Sequence, residues 1–157
     1  MRSVANMSAP HQEEAADELV RAVRSGGTIG NIAWTPEGFI GQLFATMKPF
    51  APPPPPGAQP PPLWGDEDHV RALLGDRVSD VKAERRNVTI EEFRERGDFR
   101  RFFASKYGPT IAVYSSLKDD PERTAALNVA LDDLAASFGE GTGEMQWEYL
   151  LLTATKR

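Results

Sequence analysis

Few side chains in this sequence have the chemistry to catalyse a reaction or to hold a metal. There is no cysteine, which excludes disulfides, thiolate metal sites and cysteine nucleophiles. The only histidines are His11 and His69. Any metal site would therefore be mostly carboxylate, and no ligand spacing marks one. His11 falls early in a helix that follows a strand end, where α/β sheets meet their ligands. An exposed helix histidine is the plainer alternative. His69 lies on a short helix with no partner nearby in sequence and reads as surface. Ser115-Ser116 and the threonines lack an elbow or a paired base, so nucleophilic catalysis has no support. Glu91-Glu92 and Asp119-Asp120 read as helix starts rather than catalytic pairs. Gly139, Gly141 and Gly143 repeat like a nucleotide-binding loop. Such a loop needs a strand before it and a helix N-terminus after it, and here the order is reversed. The segment from Trp34 to Phe39 leaves a buried strand and enters an aromatic-rich helix. Core packing and a ligand wall at the strand's end account for it equally well.

These residues must be carried by alternating strands and helices. Val4 to Met7 reads as a short strand. A helix begins near Pro10 with Glu13 and Glu14 in its first turn, and Ala16, Leu19, Val20 and Val23 form its apolar stripe. Gly26-Gly27 stop it. Thr28 to Trp34 suits a buried strand, which Gly30 and Asn31 weaken. Thr35 can cap the next helix, with Phe39, Ile40, Leu43, Phe44 and Met47 along one face. The segment 49–62 is a proline-rich loop whose unbroken run from Pro52 to Pro56 is stiff polyproline II; it reads as a rigid connection more readily than as an SH3-type ligand. Asp66 caps a short helix carrying Val70, Leu73 and Leu74. Val78 to Ile90 alternates as a strand does, but changes phase, so a bulge or bend is expected near Arg85 to Asn87. Glu91 to Leu117 reads as one or two helices interrupted at Gly108-Pro109, and another starts at Pro121 with Leu127, Leu131, Leu134 and Phe138 inward. Met145 to Thr155 ends the pattern as a central strand. The expected class is α/β.

The chain has 157 residues, enough for one domain with a real core. Its formal charge of -5 argues against a generic nucleic-acid binder. Arg85, Arg86, Arg94, Arg96, Arg100 and Arg101 make a local basic strip, but acidic residues interleave with them and predict an ion-paired surface. No apolar run approaches the length that spans a bilayer, and no secretory signal opens the chain, so no membrane partner is expected and the cytoplasm is the default compartment.

The run from Ser8 through Gly41 resembles the segment after the fourth strand of class I S-adenosylmethionine-dependent methyltransferases, closest to the type 11 and ubiquinone/menaquinone C-methylase-like branch. That branch ends a helix in an arginine-x-x-arginine-proline-glycine-glycine turn and then has a strand ending in tryptophan. Here the turn is Arg21-Ala22-Val23-Arg24-Ser25-Gly26-Gly27, with Ser25 in place of the proline, and the strand ends at Trp34. Leu63-Trp64-Gly65, Phe102-Phe103, Tyr107-Gly108-Pro109 and Glu148-Tyr149-Leu150 also look like that branch. The resemblance covers nearly the whole chain as the C-terminal half of the fold. It implies a partial Rossmann-like methyltransferase sheet with helices on its faces, its last strand antiparallel between the family's fifth and sixth. It implies S-adenosylmethionine as the cofactor. The family's glycine-rich cofactor loop and ribose-binding acid have no counterpart here. Only Asn6, Met7 and His11 fall where the fourth strand's end borders the cofactor. Trp34, Phe39, Phe44 and Tyr107 fall on the side of a small-molecule acceptor.

The expected protein is thus 1–157 as a single domain, a methyltransferase relative without independent catalysis. A non-enzymatic module that pairs with itself or with a complete methyltransferase is the alternative from another class, and a small-molecule binder reusing the acceptor pocket is a third. Self-association through the edge of the first strand is expected, because an uncharged, proline-free edge is a template for another strand.

Overall fold

The computed structural model describes residues 2–6, by their backbone, and 10–157. Met7 lies outside the described residues. The elements are β1 (Arg2–Asn6), α1 (Gln12–Ala22), β2 (Thr28–Trp34), α2 (Phe39–Met47), a 3-10 turn (Pro61–Gly65), α3 (Glu67–Leu74), a second 3-10 turn (Gly75–Arg77), β3 (Val78–Ile90), α4 (Asp98–Lys106), α5 (Gly108–Ser116), α6 (Pro121–Ser137) and β4 (Met145–Lys156). The chain is mixed α/β. Its sheet runs β1-β2-β4-β3. β1 is parallel to β2, from Arg2 opposite Thr28 to Asn6 opposite Ile32, and α1 makes the crossover that parallel strands require. β4, the last strand, is antiparallel to β2, from Thr28 opposite Thr155 to Trp34 opposite Tyr149. No helix among the described residues is long and apolar enough to cross a membrane.

The chain divides into two compact units, Met1–Ile40 with Pro55–Asn87 and Glu148–Arg157, and Gly41–Pro54 with Val88–Trp147. The first is built on β2 and the C-terminal part of β4. Ile29 and Ala33 of β2 and Leu150, Leu152 and Ala154 of β4 share one face of the sheet, since alternate strand residues share a face. Against that face pack Ala16, Val20 and Val23 of the α1 stripe, Trp64, and Val70 and Leu74 of α3. Asp66 caps α3 as its sequence predicts, its Oδ1 accepting from the His69 backbone N–H at 2.8 Å. Asp80, the third residue of β3, has the only positive φ among the non-glycine residues described, 50°. Along β3, partial burial holds one parity through Ala83 and the other from Val88, across the exposed Glu84 to Asn87. The phase change therefore sits where the sequence places it.

The second unit is an aromatic core. Phe99 and Phe103, four residues apart on α4, pack at 4.2 Å between ring centroids with their planes tilted by 38°, and Phe93 stacks on Trp147 at 6.1 Å. Leu127, Leu131 and Ala135 of α6 are also buried. Glu91-Glu92 do not start a helix. α4 begins at Asp98, whose Oδ2 accepts from the backbone of Arg94 and Glu95 at 3.1 and 2.8 Å. The stop between α4 and α5 is Tyr107, which ends one helix and precedes the other, where proline suits the first turn. Asp120 caps α6 by accepting from Arg123 N–H at 2.9 Å.

The Gly139 to Gly143 run has a structural job. Its three glycines take φ of 97°, 84° and 103°, and a Cβ on Gly139 would stand 2.5 Å from the Glu144 carbonyl. The tight turn aims Glu140, 7% exposed, at the start of α4, where its two oxygens accept from Gly97 N–H at 3.1 Å and Phe99 N–H at 2.9 Å. A carboxylate there satisfies orphan amides and meets the positive end of the helix dipole. Glu140→Ala is expected to cost about 2–3 kcal/mol in urea unfolding, the range for hydrogen bonds to a charged group, with Glu140→Gln losing about half of that. A loss below about 0.5 kcal/mol for the alanine variant would remove the capping role.

Candidate functional site

The sheet of the first unit has two polar clusters on one face, both beneath or beside the Pro60–Gly65 turn. The first centres on Asn31. It lies in β2 between Ile29 and Ala33 and shares their face, and it is 1% exposed. Its Nδ2 donates to the Trp64 carbonyl at 2.8 Å, while its Oδ1 has no hydrogen-bond partner among the described residues. A buried carbonyl left unpaired costs about 1–3 kcal/mol. The other end of the turn is held by Gln12, the first residue of α1 and also 1% exposed. Its Nε2 donates to the Pro60 carbonyl at 3.0 Å. That leaves Gln12 Oε1 as the acceptor, 2.5 Å from His69 Nε2. His69 therefore carries its hydrogen on Nε2, and its neutral form has the lone pair on Nδ1. The proline-rich segment is also tied at its end, Gln59 N–H donating to the Pro10 carbonyl at 2.9 Å.

The second cluster surrounds Glu148 at the end of β2. Thr35, fully buried, donates from Oγ1 to Glu148 Oε1 at 2.8 Å and accepts from Gly38 N–H at 3.1 Å. Arg85 Nη1 stands 3.3 Å from Glu148 Oε1 and 3.3 Å from Glu37 Oε2. A Cβ on Gly38 would meet Thr35 Oγ1 at 2.7 Å and Glu148 Cβ at 3.1 Å, so glycine is needed for this approach. α2 starts at Phe39 rather than at Pro36, so Thr35 does not cap the helix directly; it closes the bend that precedes it and in doing so fixes a carboxylate.

The residues expected from sequence are distributed differently. Asn6 ends β1 opposite Ile32. His11 is not inside the helix: it is exposed and immediately precedes α1, its carbonyl accepting from Ala15 N–H at 3.1 Å. His69 is not a partnerless surface residue, because α3 folds back beside α1 and brings it to Gln12. Trp34 is half-buried and meets Tyr149 edge-to-face at 6.3 Å. By alternation that pair lies on the face opposite Asn31 and Glu148. Phe39 is fully buried. In the second unit Phe44 meets Tyr107 edge-to-face at 6.5 Å, and Tyr107 also packs on Phe103 at 4.8 Å. Burial pushes the Tyr107 phenol above its ordinary range, so it stays a hydrogen-bond donor at neutral pH. Trp34 and Phe39 belong to one unit, Phe44 and Tyr107 to the other.

Gln12, Asn31 and Glu148 were not singled out by sequence, yet each leaves a signal. Gln12 continues the α1 stripe four residues before Ala16, Asn31 interrupts an apolar strand, and Glu148 has the parity of buried Leu150 and Leu152. A polar residue at a core position requires a partner. Five of the six arginines of the basic strip are ion-paired, Arg85 with Glu37 and Glu148, Arg86 with Glu84, Arg96 with Asp133, Arg100 with Asp132 and Arg101 with Asp98, while Arg94 Nε donates to the Glu91 carbonyl at 3.4 Å. Among the described residues no three His, Asp or Glu side chains are grouped to hold a metal ion.

No protein-family model matches the sequence. The chain is similar to an uncharacterized protein of Mycobacterium tuberculosis, 44% identical over 151 residues that cover 96% of this chain and 55% of that protein. A second uncharacterized protein of the same organism is 40% identical over 156 residues, covering 99% of this chain and 57% of the relative. Mycobacterium bovis has an uncharacterized protein at 44% identity over 151 residues, covering 96% of this chain and 55% of its own length. The chain spans a little over half the length of the curated relatives it matches.

Proposed function

We propose that this chain carries the substrate-side half of a class I S-adenosylmethionine-dependent methyltransferase fold and, by itself, does not catalyse. The observation that supports the proposal is the strand order. A parallel pair joined by a crossover helix is followed by a final strand that runs antiparallel to β2 and inserts between β2 and β3. That is the arrangement the sequence resemblance implies for the family's last four strands. In this proposal the acceptor is a small molecule, with Trp34 among its surroundings, and Asn6, Met7 and His11 border the cofactor. Methyl transfer from a sulfonium is an in-line displacement that depends on positioning the donor. The glycine loop and ribose-binding acid that would position it have no counterpart in this sequence. The rest of the relatives' length, a little under half of each, has room for both.

Titration calorimetry tests this directly. This chain is expected to show no saturable heat with S-adenosylmethionine at micromolar concentration, while the longer mycobacterial relatives bind it. A saturable isotherm with this chain would refute the expectation that it does not hold the cofactor by itself. Relatives that do not bind the cofactor would refute the methyltransferase assignment itself.

Self-association is the second expected property. β1 is the outermost strand of the sheet, and its backbone on the side away from β2 is an unpaired edge. A two-fold pairing of such edges is the commonest way for a chain to cover them. Sedimentation over a concentration series should show a dimer that dissociates on dilution. A monomer at every concentration would overturn this expectation.

A further inference from the structure

We propose that the proline run 52–56, with Lys48 and Arg123 at its N-terminal end, is a docking segment for a protein module that carries a groove of tyrosine and tryptophan rings flanked by carboxylates. All five prolines are exposed. Ala51 through Pro55 each precede a proline, which keeps them out of the helical region and in extended polyproline II. With three residues per turn, Pro52 and Pro55 share one edge of that rod, and Pro53 and Pro56 share the next. Both ends of the run are fastened. Upstream, Ala51 N–H donates to the Met47 carbonyl at 3.1 Å, and Arg123 Nη2 donates to the Pro49 carbonyl at 2.9 Å. Downstream, Ala58 N–H donates to the Pro55 carbonyl at 3.1 Å across a turn with Pro56 and Gly57 at its corner, and Gly57 takes the φ of 78° that such a turn needs. Gln59 and Pro60 are then tied to Pro10 and Gln12. A rod held in this way has little conformational freedom left to lose on binding, and aromatic grooves that recognise proline-rich segments exploit that property.

Two observations add docking to the rigid connection that the sequence favours. The later prolines of the same segment are used by the fold: Pro62 is buried, and the Pro60 carbonyl accepts from Gln12 Nε2. In the run itself the rings are bare, and the Pro52, Pro53 and Pro54 carbonyls have no hydrogen-bond partner among the described residues. The second observation is charge. Most arginines of the basic strip pair with carboxylates, whereas Lys48 and Arg123, both exposed, have none within ion-pair distance among the described residues. Two cations without counterions beside the start of the rod complement carboxylates at one end of a partner's groove, and they fix the direction in which the rod lies. Docking of this kind needs no methyl transfer and is independent of that assignment. The probes are an SH3 domain and a WW domain with acidic groove flanks, nitrogen-15 labelled and titrated with the full chain. The indole N–H resonance of the groove tryptophan should shift saturably at micromolar chain concentration with at least one of them. Pro52→Ala combined with Pro53→Ala strips both edges of the rod. It should weaken that binding at least about tenfold and leave the urea midpoint of the chain unchanged, because neither ring is packed. Lys48→Glu should weaken it by about fivefold at low salt, with the loss fading at high salt. Binding to neither module up to millimolar concentration would overturn the proposal, and so would an affinity that either variant leaves unchanged. A lowered urea midpoint with unchanged binding would make the run a structural spacer only.

Discussion

Gly65→Ala is expected to destabilise the protein by about 3 kcal/mol, the upper part of the range for overpacking. A Cβ at this position would stand 2.0 Å from the Trp34 carbonyl oxygen, 2.5 Å from its carbon and 2.7 Å from Thr35 Cα. All three are backbone atoms, so no side chain can rotate to make room. The turn would have to lift away from β2. The Trp64 carbonyl would move with it, and Asn31 Nδ2 would lose its acceptor as well. Urea unfolding measures the loss. Gly108→Ala is the control. That glycine opens α5 with nothing within 4 Å of its would-be Cβ, so alanine should be neutral or stabilise by about 0.5–1 kcal/mol. If the two variants unfold at the same urea concentration, the turn is not seated on the strand end.

Phe39→Ala is expected to cost about 3–5 kcal/mol, the range for emptying a buried phenylalanine site. Its side chain is fully buried at the first residue of α2. The sequence left two roles for it, core and ligand wall, and the same substitution separates them. A ligand-wall residue already faces open space, so its truncation leaves a smaller new void and a smaller loss. Phe39→Leu, closer in volume, should cost about 1 kcal/mol. A loss below about 1 kcal/mol for the alanine variant would return Phe39 to the ligand wall.

Much of the architecture could be read from local signals. The α1 stripe, the Asp66 and Asp120 caps, the Gly26-Gly27 stop and the two apolar strands at 28–34 and 145–155 follow from period and turn chemistry. Each depends on residues within a turn or two of one another, and that is the range over which backbone geometry repeats. The misplaced helix start at Glu91-Glu92 shows the limit. Acidic pairs suit many first turns, but here the carboxylate that caps α4 from outside is Glu140, more than forty residues away. Nothing near Asp98 announces it.

The amino-acid sequence by itself determined the class of the fold, the existence and order of most elements, and the absence of thiol chemistry, because these depend on periodicity and composition. It also supplied the family resemblance on which the functional proposal rests. The tertiary structure alone decided which polar residues matter. Gln12 meets His69 across 57 positions, Asn31 meets the Trp64 carbonyl across 33, and Thr35 meets Glu148 across 113. Seen singly, Gln12 is one polar residue at a helix start, Asn31 interrupts an apolar strand, and Glu148 is one more acidic residue in a charged chain. A buried amide or carboxylate is recognisable as a functional group only when its partners are known. Those partners are chosen by how the sheet, α1, α3 and the Pro60–Gly65 turn pack, which no local pattern contains.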